Sequence, residues 1–250
     1  MREAPLISVL VTNFNYGPFL WRAIDSVTPP LGCSVELLVV DDGSDDCSEW
    51  MIQTLRRSAA ERFITFEAIF LPNNYGKMHA LNVAVPRLRG QFTVILDADD
   101  YLAPPYLPIT IAALRRAHAK DAAVQFAYTD CFLVDAEERE LGPGRSSPFD
   151  AELLRSVSYI PECGPTFTSV LQALLPFDER ILSGTKHWKW RKIVDSGWIG
   201  VYVPMPLFYY RMHTRNLSGI GARVLHESNR NIGQERLLSG YWRTTNHNQY

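Results

Sequence analysis

Over the first 130 residues, short apolar runs alternate with segments whose apolar side chains recur every three or four positions. Ile7 to Val11 is a β-branched run, and polar residues then lead to Gly17-Pro18, where a proline suits the first turn of a helix. That helix carries Phe19, Leu20, Ala23, Ile24 and Val27 on one face. Val35 to Val40 is apolar almost throughout, as strands covered on both faces tend to be. Ser48 can cap a helix reaching about Ala60, with Trp50, Met51 and Leu55 facing inward. Ile64 to Phe70 predicts a third strand, Gly76 to about Leu88 a helix, and Phe92 to Leu96 a fourth strand. This rhythm predicts an α/β fold with a mostly parallel, doubly wound sheet.

The second half is less regular. Pro104-Pro105 opens a helix to about His118, and Ala123 to Tyr128 and Cys131 to Val134 read as two strands. Glu137 to Pro148 reads as a turn region, residues 185–196 as a Trp-rich helix, and Ile199 to Val203 as a strand. No repeat or linker divides the chain. One domain is expected over 1–220, with a ligand-binding half at 1–110, an acceptor-side half at 111–220 and a polar tail at 221–250.

Composition narrows the function. Lys and Arg total 25 against 27 Asp and Glu, a net charge of -2 that lacks the cationic excess of a nucleic-acid binder. No apolar run approaches the ~18–20 residues that cross a bilayer, and the N-terminus shows no secretory signal. A cytoplasmic location is expected. Cys33, Cys47, Cys131 and Cys163 are scattered without metal-site spacing and read as reduced thiols.

In a parallel sheet, ligands bind where the loops leave the carboxyl ends of the strands. Asn13 and Asn15, Asp41 and Asp42, Asn73 and Asn74, and Asp97, Asp99 and Asp100 all fall there. Carboxylates released after Leu96, with small Ala98 between them, suit a hard divalent cation such as Mg²⁺ or Mn²⁺. Asp41 and Asp42 can accept hydrogen bonds from a base or a sugar, although Asp-Gly is also an ordinary turn. Asn74-Tyr75-Gly76-Lys77 opens a helix and sets backbone N–H donors and an ammonium where a phosphate could sit. Asn82 reads as structural.

The strings ISVLVTNFNYGPFLWRAIDSV, VELLVVDDGSDD, NNYGKMHALNVAV and VILDADDYLAPP, in that order and spacing, resemble family 2 glycosyltransferases of the GT-A fold. LLPFDERI and YRMHTRNLS continue the likeness. The resemblance implies a nucleotide-sugar donor, with UDP-sugars first, held by Thr12, Asn13, Asn15, Asp41 and Asp42 at base and ribose. Asn74, Gly76 and Lys77 would lie near the diphosphate, and Asp97, Ala98 and Arg211 (or Arg215) would complete the donor site. Asp99, Asp97 and His213 would hold the metal. Thr12 and Phe14 stand where the family usually has proline and tyrosine, so the base contact is expected to differ in detail.

One departure concerns the chemistry. The family usually carries a Glu-Asp pair about six residues after the FDE string, and its Asp is the base. Here Thr185 and Lys186 take those positions. A lysine with an ordinary pKa near 10.4 cannot accept a proton at neutral pH. Glu179, Asp100, Glu162 and His187 stand as unranked candidates, with Lys186 itself a candidate for binding an anionic group. The alternative is a non-catalytic or weakly active sugar-nucleotide-binding module. A nucleotidyltransferase fits less well, because Thr12-Asn13-Phe14-Asn15 is not a glycine-rich basic loop.

The acceptor side is expected around Glu162 to Thr166, with a glycan, a lipid-linked sugar or a protein as the acceptor. Trp188, Trp190 and Trp198 read as core more readily than as sugar-stacking groups. The run His187, Lys189, Arg191 and Lys192 reads as a solvated face, or as a contact for an anionic saccharide or for anionic lipid at the inner face of a membrane.

Overall fold

The computed structural model describes residues 6–59, 61–213 and 216. The expected tail at 221–250, and Arg215, lie outside them. The first half runs β1 (Leu6–Asn13), α1 (Gly17–Asp25), β2 (Ser34–Asp41), α2 (Ser48–Ser58), β3 (Thr65–Phe70), α3 (Lys77–Ala84) and β4 (Phe92–Asp97). A short β5 (Tyr101–Leu102) and α4 (Tyr106–His118) follow. The second half holds β6 (Val124–Val134), β7 (Glu140–Gly144), α5 (Ala151–Ser156), β8 (Thr166–Phe167), α6 (Thr168–Ala173), α7 (Thr185–Asp195) and β9 (Ile199–Arg211).

All nine strands found among the described residues form one sheet, ordered β3-β2-β1-β4-β8-β6-β9-β5, with β7 on the side of β6. The run β3-β2-β1-β4 is parallel throughout, as the strand–helix alternation requires. Beyond β4 the sheet becomes mixed: β8 pairs antiparallel with both β4 and β6, while β6 and β9 run parallel. Ile7, Val9, Leu10 and Val11 are fully buried, which explains an apolar run without alternation. Each such side chain contributes about 1.5–3 kcal/mol by leaving water.

Several sequence expectations change. Trp50 is not inward-facing but 66% exposed; Ile52 is the buried residue of that helix turn. Ser48 is the first helical residue rather than the cap, and Cys47 takes the N-cap without a side-chain hydrogen bond. The two strands expected around residues 123–134 are one, because Thr129 and Asp130 do not break it. The Asp130 carboxylate accepts hydrogen bonds from Ser146 N at 2.7 Å and from Tyr202 Oη at 2.7 Å. Satisfied in this way, a buried acid can stay inside a sheet. Strand β9 continues past Val203 to Arg211, although Pro204 and Pro206 look like breakers. The β6/β9 register shifts there, and such bulges admit residues that cannot donate to the ladder. The region expected to be a turn holds β7.

Candidate active site

The carboxyl ends of β1, β2 and β4 and the segment between β3 and α3 are tied to one another by side chains. Asn13 Nδ2, at the end of β1, donates to Asp41 Oδ2 at 2.6 Å and to Ser48 Oγ at 2.8 Å. Asp41 also accepts from Ser44 N and Ser44 Oγ, at 2.9 and 2.8 Å. Asn15, with φ of 58°, accepts from Asp45 N at 3.0 Å. Asp42 reaches the next loop, accepting from Tyr75 N at 2.9 Å and Gly76 N at 2.8 Å. Burial raises the Asp42 pKa, with these two N–H groups pulling against it. Gly43 (φ 71°) lies so close to Asn73 that a Cβ would stand 2.3 Å from its carbonyl carbon, so this contact admits only glycine.

The link to β4 runs through Thr12 Oγ1, which donates to Asp97 Oδ1 at 2.9 Å, and through Lys77 Nζ, 2.5 Å from the same oxygen. Asn74 is exposed and accepts from Gly76 N at 3.0 Å. Asp42, Gly76, Lys77 and Asp97 thus form one connected rim, and Asn74 stands at its edge.

Asp97, Asp99 and Asp100 each bring one carboxylate oxygen within 4.8 Å of the others. Burial raises the pKa of Asp97, Lys77 lowers it, and Glu162 and Asp99 raise it again. Burial, then Asp99 and Asp97, push Asp100 well above the carboxylate range. Three hard oxygen donors that repel one another fit a divalent cation such as Mg²⁺ or Mn²⁺. His213 Nε2 stands 3.3 Å from Asp99 Oδ2, and Asn216 Nδ2 donates to that oxygen at 3.2 Å. The ring of His213 packs edge-on to Tyr16, with centroids 5.3 Å apart.

Arg211 is tied to the protein by its whole guanidinium. Its Nε donates to Asp99 O at 2.9 Å, its Nη1 to Ala136 O at 3.0 Å and its Nη2 to Glu138 Oε1 at 3.0 Å. All three guanidinium nitrogens hold protein acceptors, and Arg211 N also donates to Asp100 Oδ1. Arg211 therefore braces the acidic loop through its guanidinium and its backbone N–H. Ala98 is fully buried beneath the loop.

In the second half of the chain, Glu162 precedes β8 and is buried. Its Oε1 lies 2.8 Å from Lys189 Nζ and 3.6 Å from Lys77 Nζ. Lys189 is thus not part of a solvated face: it pairs with Glu162 beneath α7, while Arg191 and Lys192 are exposed. Burial lowers the Lys189 pKa and Glu162 opposes that shift. Burial likewise lowers Lys186, against the pull of Glu162, Asp97 and Asp100. Trp190 is core, with Nε1 donating to Pro161 O at 3.0 Å; Trp188 and Trp198 pack partly buried against the same core. Glu179 accepts from Asn82 Nδ2 at 2.8 Å and lies 3.1 Å from His79 Nδ1. Asn82 also exchanges two hydrogen bonds with the backbone of Phe177, so its role is structural, as expected. His187 Nε2 lies 2.6 Å from Leu154 O.

The Glu162–Lys189 and Arg211–Glu138 pairs carried no sequence signal, because their partners lie far apart along the chain with no motif joining them. Ser44 and Ser48, which hold Asn13, were hidden as ordinary turn and cap residues.

A mixed sheet whose parallel half gathers amides, an ammonium and three carboxylates at one rim is the architecture of GT-A glycosyltransferases. The model of glycosyl transferase family 2 matches residues 8–174, and the chain belongs to that family. It is therefore a glycosyltransferase.

An uncharacterized glycosyltransferase of Nostoc sp. is 26% identical over 92% of this chain and 72% of its own. Escherichia coli chondroitin synthase is 26% identical over 59% of this chain, which spans only 20% of that protein. An undecaprenyl-phosphate 4-deoxy-4-formamido-L-arabinose transferase of Pseudomonas savastanoi is 30% identical over 47% of this chain and 36% of its own. The chain thus spans well under half the length of several relatives that it matches.

Among solved structures, Staphylococcus aureus TarS (residues 1–349) superposes with a TM-score of 0.63 at 18% identity, over 82% of this chain and 60% of that one. A mannosyltransferase from Pyrobaculum calidifontis, in complex with GDP-Man and Mn²⁺, superposes with a TM-score of 0.65 at 17% identity, over 97% of this chain and 71% of that one. At such identities the likeness shows the fold. No helix among the described residues is long and apolar enough to cross a membrane.

Proposed function

We propose that this chain transfers a sugar from a nucleoside-diphosphate donor, with UDP-sugars first, by an inverting and metal-dependent displacement. The observation that carries this is the three-carboxylate cluster of Asp97, Asp99 and Asp100, joined through Lys77 and Thr12 to the loops of the neighbouring strands. TarS has been solved with UDP and with UDP-GlcNAc, and the mannosyltransferase with GDP-Man and Mn²⁺, so related folds hold donors of this class.

In this reading, Asn13, Asn15, Asp41 and Asp42 shape the pocket for base and ribose, and Gly76 and Lys77 lie along the diphosphate. Asp99 and Asp97, with His213 beside Asp99, would hold Mn²⁺ or Mg²⁺, which when bound supplies charge neutralisation for the departing diphosphate. Lys77 adds a fixed positive charge on the same side, set in place before reaction. An acceptor hydroxyl attacks the anomeric carbon from the face opposite the diphosphate, so the configuration inverts. Chondroitin synthase and the undecaprenyl-phosphate transferase favour a glycan or a lipid-linked acceptor over a protein. The exposed Arg191 and Lys192 are suited to meet an anionic membrane surface, as a lipid-linked acceptor would require.

The test is turnover. With Mn²⁺ present, the protein is incubated with UDP-GlcNAc, UDP-glucose and GDP-mannose and the free nucleotide is measured. Release from at least one donor, abolished by a chelator, is expected; no release from any donor overturns the reading.

A further inference from the structure

Glu162 Oε2 is buried and has no hydrogen-bond partner among the described residues, although the side chain is only 3% exposed. A buried carboxylate oxygen without a donor is costly, and such a group calls for an explanation. Its sister oxygen is fully engaged by Lys189, and stands 3.6 Å from the Lys77 ammonium that holds Asp97. The Glu162 carboxylate, with its unpartnered buried Oε2, therefore lies one side chain, Lys77, away from the acidic cluster, beside the site where the donor diphosphate is proposed to sit.

The chemistry of the surroundings selects the missing donor. Lys77, Lys186 and Lys189 all act on this carboxylate, so a further cation is disfavoured. An anion would meet the carboxylate itself. A neutral O–H group satisfies the oxygen without either conflict.

The other candidates for proton acceptance are already engaged. Glu179 accepts from Asn82 and faces His79. Asp100 accepts from Arg211 N and belongs to the acidic cluster proposed to hold the metal. His187 is tied to Leu154 O. Lys186, at the start of α7, lies in the field of Glu162, Asp97 and Asp100.

We propose that Glu162 Oε2 receives the hydrogen bond of the attacking hydroxyl and removes its proton during transfer. This rests on the donor site described above. The O–H bond of the acceptor breaks as its oxygen bonds to the anomeric carbon. The bond from that carbon to the diphosphate oxygen breaks in the same step, its electron pair leaves with the diphosphate, and the proton passes to Oε2.

The lysines fit this role. Burial raises the Glu162 pKa, but Lys189 and Lys77 more than reverse it, to about 2, so the group is ionised at any working pH. A carboxylate held that low is a poor base toward a resting hydroxyl. An arriving diphosphate competes for the charge of Lys77, which loosens that hold. The hydroxyl also grows more acidic as its oxygen gives electrons to the anomeric carbon.

The test compares wild type with Glu162→Gln, on whichever of UDP-GlcNAc, UDP-glucose or GDP-mannose the wild type turns over with Mn²⁺. Because this single substitution leaves the Lys189 ammonium buried without its counter-charge, the double variant Glu162→Gln/Lys189→Met is measured in parallel. Both are expected to lose about 10²–10⁴-fold in turnover, the usual span for a general base, with UDP or GDP affinity within threefold of wild type. Turnover above a third of wild type in either folded variant overturns the proposal while leaving the donor reading intact. So does a loss of nucleotide affinity that parallels the loss of rate. A wild type that turns over none of the donors sinks both readings together.

Discussion

Lys77 Nζ lies 2.5 Å from Asp97 Oδ1, so the ammonium already neutralises one member of the acidic trio. Burial would lower the Lys77 pKa, but Asp97 and Glu162 raise it above its ordinary value, and the charge persists through the neutral range. A metal ion at this cluster must share or displace that ammonium, whereas a diphosphate gains from it. Lys77→Met is therefore expected to bind Mn²⁺ alone more tightly and UDP more weakly, each by about tenfold, or ~1.4 kcal/mol. Calorimetric titration of the two ligands separately reads both changes.

The Gly43 contact predicts a local defect. A Cβ at residue 43 would meet the Asn73 backbone in a conformation that L side chains rarely adopt. Gly43→Ala is expected to cost ~1–3 kcal/mol in urea unfolding and to weaken UDP binding, because the loops carrying Asp42 and Asn74 must part.

Asn82 supplies a contrast. It clamps the Phe177 backbone and Glu179 onto α3 through three hydrogen bonds. Asn82→Ala should lower unfolding stability by ~1–3 kcal/mol, since it strands the Phe177 N–H, while UDP affinity stays unchanged.

At the opposite end of the sheet, Glu36 receives Ser8 Oγ at 2.5 Å, Arg89 N at 2.7 Å and Arg89 Nε at 2.9 Å. Burial raises its pKa, but these hydrogen bonds and the Arg89 charge outweigh that, and the pKa falls below 4.5. A depressed carboxyl stabilises the fold above its unfolded pKa and loses that contribution as pH falls through the folded value. Glu36→Gln is expected to be less stable than wild type at pH 7, with the gap closing below about pH 4.5. Thermal melts across pH check the sign.

The parallel half of the fold and its rim were legible because each strand is an apolar run ending in a polar motif. The sheet beyond β4 was not. Asp130 looks like a breaker until Ser146 and Tyr202, distant in sequence, satisfy it, and the prolines of β9 do so until the shift in register against β6 admits them. The same reason hid Lys189, whose neighbours along α7 are exposed cations but whose own ammonium is buried on Glu162. Arg211 stood out by its motif, yet its three acceptors, at positions 99, 136 and 138, could be assigned only in three dimensions.

The most direct measurement is UDP binding, with and without Mn²⁺, to wild type and to Asp99→Asn. Wild type should bind at least tenfold more tightly with Mn²⁺, and the variant should lose that gain while keeping the metal-free affinity. Equal binding by both proteins regardless of Mn²⁺, or no binding by wild type, would contradict a cradle in which Asp99 helps a metal ion clasp the donor.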